Sequence, residues 1–235
     1  MTDLHVLLVL QQQDTAADQL RHRRATLPER ALVAGLEAER ARLDGELTTA
    51  AAERDRLGAR QERLEGDVAT TEDKRRTLER RLGATSVPRE AQAMSDEIDG
   101  LKARQSGMED ELLELMEALE PLDGRLAEGG GERAQLDERL TVARAALAAA
   151  EAGVDSELAA VGAARTQAAA PIPKPLLDRY ERLRARLGGV AVATLDGPRC
   201  TGCNLVLPLL ELERVRAAAP DALVECEQCG RILVT

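Results

Sequence analysis

Apolar residues recur at every seventh position over two long stretches of this 235-residue chain. In the first, Leu36, Leu43, Ala50, Leu57, Leu64, Thr71 and Leu78 form one series, and Val33, Leu47, Val68 and Leu82 fall at a second position of the repeat. In the other, Ile98, Gln105, Leu112, Leu119, Leu126, Arg133, Leu140, Leu147, Val154 and Val161 are joined by Leu101, Met108, Leu115, Leu122, Leu136 and Ala143. A strict seven-residue repeat keeps its narrow apolar seam facing a neighbour only if the helices supercoil, so the pattern predicts a coiled coil. Arg40, Arg54, Gln61 and Arg75 interrupt the second series; polar residues there cost stability but fix register.

Gly83 to Pro88 separates two stretches of nearly equal length. Gly suits a left-handed helix cap and Pro the first position of the next helix. The prediction is therefore an antiparallel hairpin over residues 1–170 with its tip at 83–88, each arm about 110 Å long at helical rise. Folding about that turn sets Leu47 near Leu122, Leu57 near Leu112 and Val68 near Leu101. An opening helix capped by Asp3 carries Leu4, Leu7, Leu8, Ala16, Leu20 and Leu27; Pro28 then starts a second helix or kinks one continuous arm. Pro121, Gly124 and Gly129–Gly131 mark a kink near 121–131, either tolerated against the facing arm or used as a hinge.

The pattern changes after residue 170. Pro171, Pro173 and Pro175 read as a stiff extended linker within a 171–189 segment, followed by a short helix. Its face of Leu176, Leu177, Tyr180, Leu183 and Leu187, capped by Gly188, is expected to dock near the first helix. Residues 190–235 read as strands over Val190–Leu195, Ala222–Glu225 and Ile232–Val234, with a short helix over Leu209–Ala218 before Pro220. The fold class is mainly α: a long antiparallel coiled-coil hairpin followed by a small C-terminal β domain.

Composition supports elongated helices. There is no Phe or Trp and one Tyr, a poor supply for a large core, while charged residues make up 31% of the chain. With 42 acidic and 32 basic residues the net charge is −10, which gives no general attraction to nucleic acid or anionic membranes. No apolar run is long enough to span a bilayer, and the short run before Leu10 lacks the basic flank of a secretory signal. The expected location is cytoplasmic, with no membrane association, and there four cysteines point to a metal rather than to disulfides.

Those cysteines form two C-x-x-C pairs, Cys200/Cys203 and Cys226/Cys229, with 22 residues between them. Two intervening residues let one tight turn aim both sulfurs at a single ion, and the residue after each pair, Asn204 or Gly230, tolerates the left-handed backbone that closes it. We expect one structural Zn²⁺ in a zinc ribbon at 190–235. Its apolar residues are so few that the metal supplies on the order of 10 kcal/mol of the folding energy. Four thiolates leave no position for a reactive water. The rival, a redox dithiol, fits poorly because neither pair opens a helix after a strand. No nucleophile with its base and no phosphate loop is visible, and His5 and His22 lie far off in the first helix. The sequence predicts no enzyme and no small-molecule substrate.

The hairpin, Tyr180, the Cys200/Cys203 pair and the ending Cys226-Glu-Gln-Cys229-Gly230-Arg231-Ile232-Leu233 together resemble the bacterial C4-type zinc ribbon proteins with a coiled-coil hairpin domain. The resemblance implies an adaptor or chaperone, described elsewhere in flagellar and type III secretion systems and in contact with an alternative sigma factor, with a ribbon often presumed to bind nucleic acid. Two readings follow. A protein partner of unknown identity would use the hairpin and the ribbon as docking surfaces, with binding expected in the distal half between the Pro121 kink and the basic tip of Lys74, Arg75, Arg76, Arg80, Arg81 and Arg89. Alternatively, nucleic acid would bind the ribbon and a basic tip made of Lys74, Arg75, Arg76, Arg80, Arg81 and Arg89. The lack of stacking aromatics weighs against the second.

Overall fold

The two heptad stretches form helices α2 (Pro28–Leu82) and α3 (Pro88–Ala169), which follow α1 (Asp3–Ala25) and pair as a hairpin in a computed structural model describing residues 3–219 and 222–234. The seam is where the periodicity put it: Val33, Leu36, Leu43, Leu57 and Thr71 are buried on α2, and Ile98, Met108, Leu115, Leu119, Leu136 and Leu140 on α3. Pro28 and Pro88 each open a helix, where a missing N–H costs nothing. Asp3 is the first residue of α1; its side chain, expected as the cap, lies outside the described residues, as does Pro220.

Away from the tip the register departs from the expected one, by a full heptad at Leu47. Leu47 packs on Gly129 rather than Leu122: a Cβ placed on Gly129 would lie 2.2 Å from Leu47 Cδ2. Leu57 clusters with Leu115 and Leu119 rather than Leu112. A slip of seven residues leaves every apolar position facing the seam, so the pattern alone does not choose. Ion pairs across the arms do: Arg40 with Asp137, Arg54 with Asp123 and Arg133 with Asp44. Arg40 and Arg54, which interrupt the repeat, thus help to specify its register.

Two local expectations also change. Gly83 is not left-handed; the amides of Gly83, Ala84 and Thr85 close the helix end on the carbonyls of Glu79 and Arg81 at 3.1 Å. The proline-rich linker shrinks to residues 170–173, because Pro175 sits in the first turn of α4 (Lys174–Arg186) and Ile172 is buried. Through Pro121 and Gly129–Gly131, α3 continues as one α-helix.

Close packing divides the chain into two units, 33–142 and 1–32 together with 143–235. The second has its own core. Leu4, Leu7 and Leu10 of α1 meet Ile172, Tyr180 and Leu183 around α4 and Ala191, Val192, Ile232 and Val234 of a small sheet. A left-handed Gly188 ends α4, and the Gly189 amide donates to the Arg184 carbonyl at 2.9 Å, the Schellman pattern. The sheet comprises β1 (Val192–Asp196), β2 (Arg199–Cys200), β3 (Val224–Glu225) and β4 (Ile232–Val234) in the order β2-β1-β4-β3, with α5 (Leu209–Ala217) between β2 and β3. Strand β1 runs parallel to β4; the other pairs are antiparallel.

Candidate metal centre

The four cysteines converge from two similar turns. Cys200 ends β2, and the Asn204 amide returns to its carbonyl at 2.8 Å; Cys226 follows β3, and the Gly230 amide returns to its carbonyl at 2.7 Å. Asn204 and Gly230 close these turns with φ of 61° and 71°, the left-handed conformation that the spacing called for. Within the first turn the Gly202 amide points at Cys200 Sγ at 3.4 Å. All four sulfurs lie within 4.8 Å of one another. A tetrahedral ion with Zn–S bonds of about 2.3 Å needs sulfurs about 3.8 Å apart, so the set fits one zinc after small adjustments. The donor chemistry agrees, because four thiolates form a closed structural site rather than a catalytic one.

Burial pushes the Cys226 thiol up to about 12 and raises Cys200 as well, so in the metal-free chain these sulfurs hold their protons. Burial acts the same way on Cys229, but hydrogen bonds from the backbone and side chain of Arg231 outweigh it and hold that thiol below its ordinary value. Arg231 also ties the ribbon to the end of α4. Its Nε donates to the Val190 carbonyl at 2.9 Å and its Nη2 to that of Leu187 at 3.3 Å. The side chain crosses the first turn so closely that a Cβ on Gly202 would stand 2.4 Å from Arg231 Cδ. From the other side, α5 contributes Leu212 and Val215 to the apolar packing around Cys200 and Cys226. Buried Glu211 accepts the Glu227 amide at 2.8 Å, fixing the second turn.

A second polar cluster seats α1 against the ribbon and α4, and the sequence reading missed it. Gln11 accepts the Ala191 amide at 2.7 Å and donates to the Gly189 carbonyl at 2.8 Å, completing hydrogen bonds at the start of β1. Asp14, with 4% of its side chain exposed, accepts the Tyr180 hydroxyl at 2.6 Å and Arg165 Nε at 2.7 Å. Arg165 also pairs with Glu181, and Arg184 with Asp18 at 2.6 Å. Burial, and then the hydrogen bond to Asp14, raises the Tyr180 pKa, while Asp14 raises that of Arg165. The signal was present: Gln11 and Asp14 share the helix face of Leu7 and Leu10, where a solvated polar residue does not belong.

Four of the basic residues near the tip line two adjoining grooves that share Asp73 and Thr77. Lys74 and Arg81 line a groove with Leu78, Glu97 and Leu101, whereas Arg76 and Arg80 line another with Asp73 and Glu79. Arg75 is half-buried and pairs with Glu79 at 3.5 Å; Arg76 pairs with Glu72 at 2.6 Å. Arg89 is exposed in the first turn of α3.

A helical hairpin bearing this four-cysteine ribbon defines a C4 zinc-ribbon coiled-coil protein. The chain belongs to the family of the CT398-like coiled coil hairpin domain, which matches residues 10–188, and residues 199–233 match the C4-type zinc ribbon domain. A Mycobacterium tuberculosis protein described as uncharacterised is 32% identical over 97% of this chain and 93% of its own length. A solved structure from Mycobacterium smegmatis is similar at a TM-score of 0.87 and 29% identity, covering 99% and 97% of the two chains. CT398 of Chlamydia trachomatis shares the fold at a TM-score of 0.81 and 20% identity, with the same coverage. The ribbon thus holds one structural Zn²⁺. No helix among the described residues is long and apolar enough to cross a membrane.

Proposed function

We propose that the protein is a non-enzymatic adaptor or chaperone that binds a protein partner through its hairpin and its zinc ribbon, in the cytoplasm and without a small-molecule substrate. One observation carries this reading: the ribbon exposes Leu205, Val206, Leu209 and Leu210 by 51 to 81%, although its own core is very small. Clustered apolar exposure of this kind serves contact with another protein. Nucleic acid would instead call for stacking aromatics and a continuous basic track.

The second reading, nucleic-acid binding, rests on Lys74, Arg80, Arg81 and Arg89, which make no ion pair among the described residues. Capture of the physiological partner, with and without nuclease, separates the two. The adaptor reading expects nuclease-resistant capture, weakened by Leu209→Ser with Leu210→Ser. Capture abolished by nuclease, and by reversing Arg75, Arg76, Arg80 and Arg81 to Glu, would support nucleic acid instead.

A further inference from the structure

Leu113 and Met116 are 58% and 55% exposed in the middle of the most acidic stretch of α3. Three residues apart, they form one outward strip, while Leu115 and Leu119 meet the facing helix. Four carboxylates border the strip at helical spacing: Glu109 and Asp110 lie one turn before Leu113, Glu117 one turn after it, and Glu120 one turn after Met116. Asp110, Glu117 and Glu120 make no ion pair among the described residues; Glu109 accepts only Gln105 Nε2, at 2.7 Å. No Lys or Arg occurs between residues 109 and 123.

A solvated helix face explains the acids but not two large apolar side chains at their centre. The rim selects what can cover them. Phosphates and acidic surfaces are repelled, and a positively charged rim is attracted. The strip runs along a helix, and a second helix packs on such a ridge with apolar residues at the same spacing; methionine adapts to varied side chains. We propose that this face of α3 is the docking site for a basic amphipathic helix of a protein partner, whose apolar residues cover Leu113 and Met116 while flanking Lys and Arg meet the four carboxylates. The inference rests on the adaptor reading and narrows its partner chemistry.

The test uses the intact zinc-loaded chain and a labelled synthetic helix of about five turns, with leucines on one face and Lys/Arg flanks, alongside a peptide of the same leucines with Glu flanks. The basic peptide is expected to bind with a dissociation constant of about 1–100 μM and the acidic one not to bind. Raising salt to about 0.5 M weakens binding roughly tenfold or more. Leu113→Ser with Met116→Ser, and separately Glu117→Lys with Glu120→Lys, each weaken it by a similar factor. Unchanged affinity in either variant overturns the proposal, as does equal binding of the acidic peptide. So does self-association of the chain that Glu117→Lys with Glu120→Lys abolishes, since the occupant would then be a second copy. The adaptor reading fails separately, through the partner capture described above, because Leu209 and Leu210 take no part in peptide binding here.

Discussion

Residues 33–142 are held by many small contacts repeated along a seam, whereas the two cysteine turns and α5 are gathered around four sulfur atoms. In the seam, each leucine meets neighbours one turn away on the other helix, and losing one leaves the rest in place. In the ribbon, strands of two to five residues are joined through two turns that one ion must hold together. The lesson concerns where stability is concentrated: a repeated interface spreads it, and a small domain without a large core places it in a metal.

Removing zinc should therefore break the comparison most sharply. Cys226→Ser is expected to lose bound metal and about 10 kcal/mol of ribbon stability, while helix content by circular dichroism changes little. Because zinc must displace protons from thiols that burial pushes upward, zinc affinity falls as pH falls; a competitive chelator titration across pH measures this. Next in size is Asp14→Ala, which leaves the buried Tyr180 hydroxyl without its partner while Arg165 and Arg184 keep Glu181 and Asp18, and should cost about 1–3 kcal/mol in thermal unfolding of its unit.

The seam offers a finer contrast between neighbouring glycines. Gly129→Ala drives a methyl group into Leu47 and should destabilise by about 1–3 kcal/mol, whereas a Cβ at Gly130 meets nothing within 4 Å, so Gly130→Ala should stabilise by about 1 kcal/mol. The smallest effects concern charge. Arg54→Ala removes exposed pairs with Asp123 and Asp55 and should cost about 0–1 kcal/mol. Tyr180, whose pKa burial raises, stabilises the fold below the ordinary tyrosine value of about 10 and loses that contribution as pH climbs above it. Tyr180→Phe should therefore flatten the alkaline end of the stability profile.

The parts legible in the sequence were those written locally or repeatedly. Heptads announce themselves many times over, and C-x-x-C turns contain their own geometry, including the left-handed Asn204 and Gly230. The register was not legible, since a heptad slip is invisible to the pattern and only nonlocal pairs such as Arg40 with Asp137, together with Gly129 beneath Leu47, exclude it. Strand β2 was missed because two residues carry no periodicity. Gln11 and Asp14 could be placed on the face of Leu7 and Leu10, but their partners Gly189, Ala191 and Tyr180 lie far along the chain and carry no local signal.

Hydrogen exchange of the intact chain with and without zinc tests the central contrast most directly. Zinc removal is expected to abolish protection in the two cysteine turns and α5 and leave the amides of 33–142 as protected as before. Loss of protection in both regions together, or in neither, would contradict the division between a metal-held ribbon and a self-sufficient hairpin.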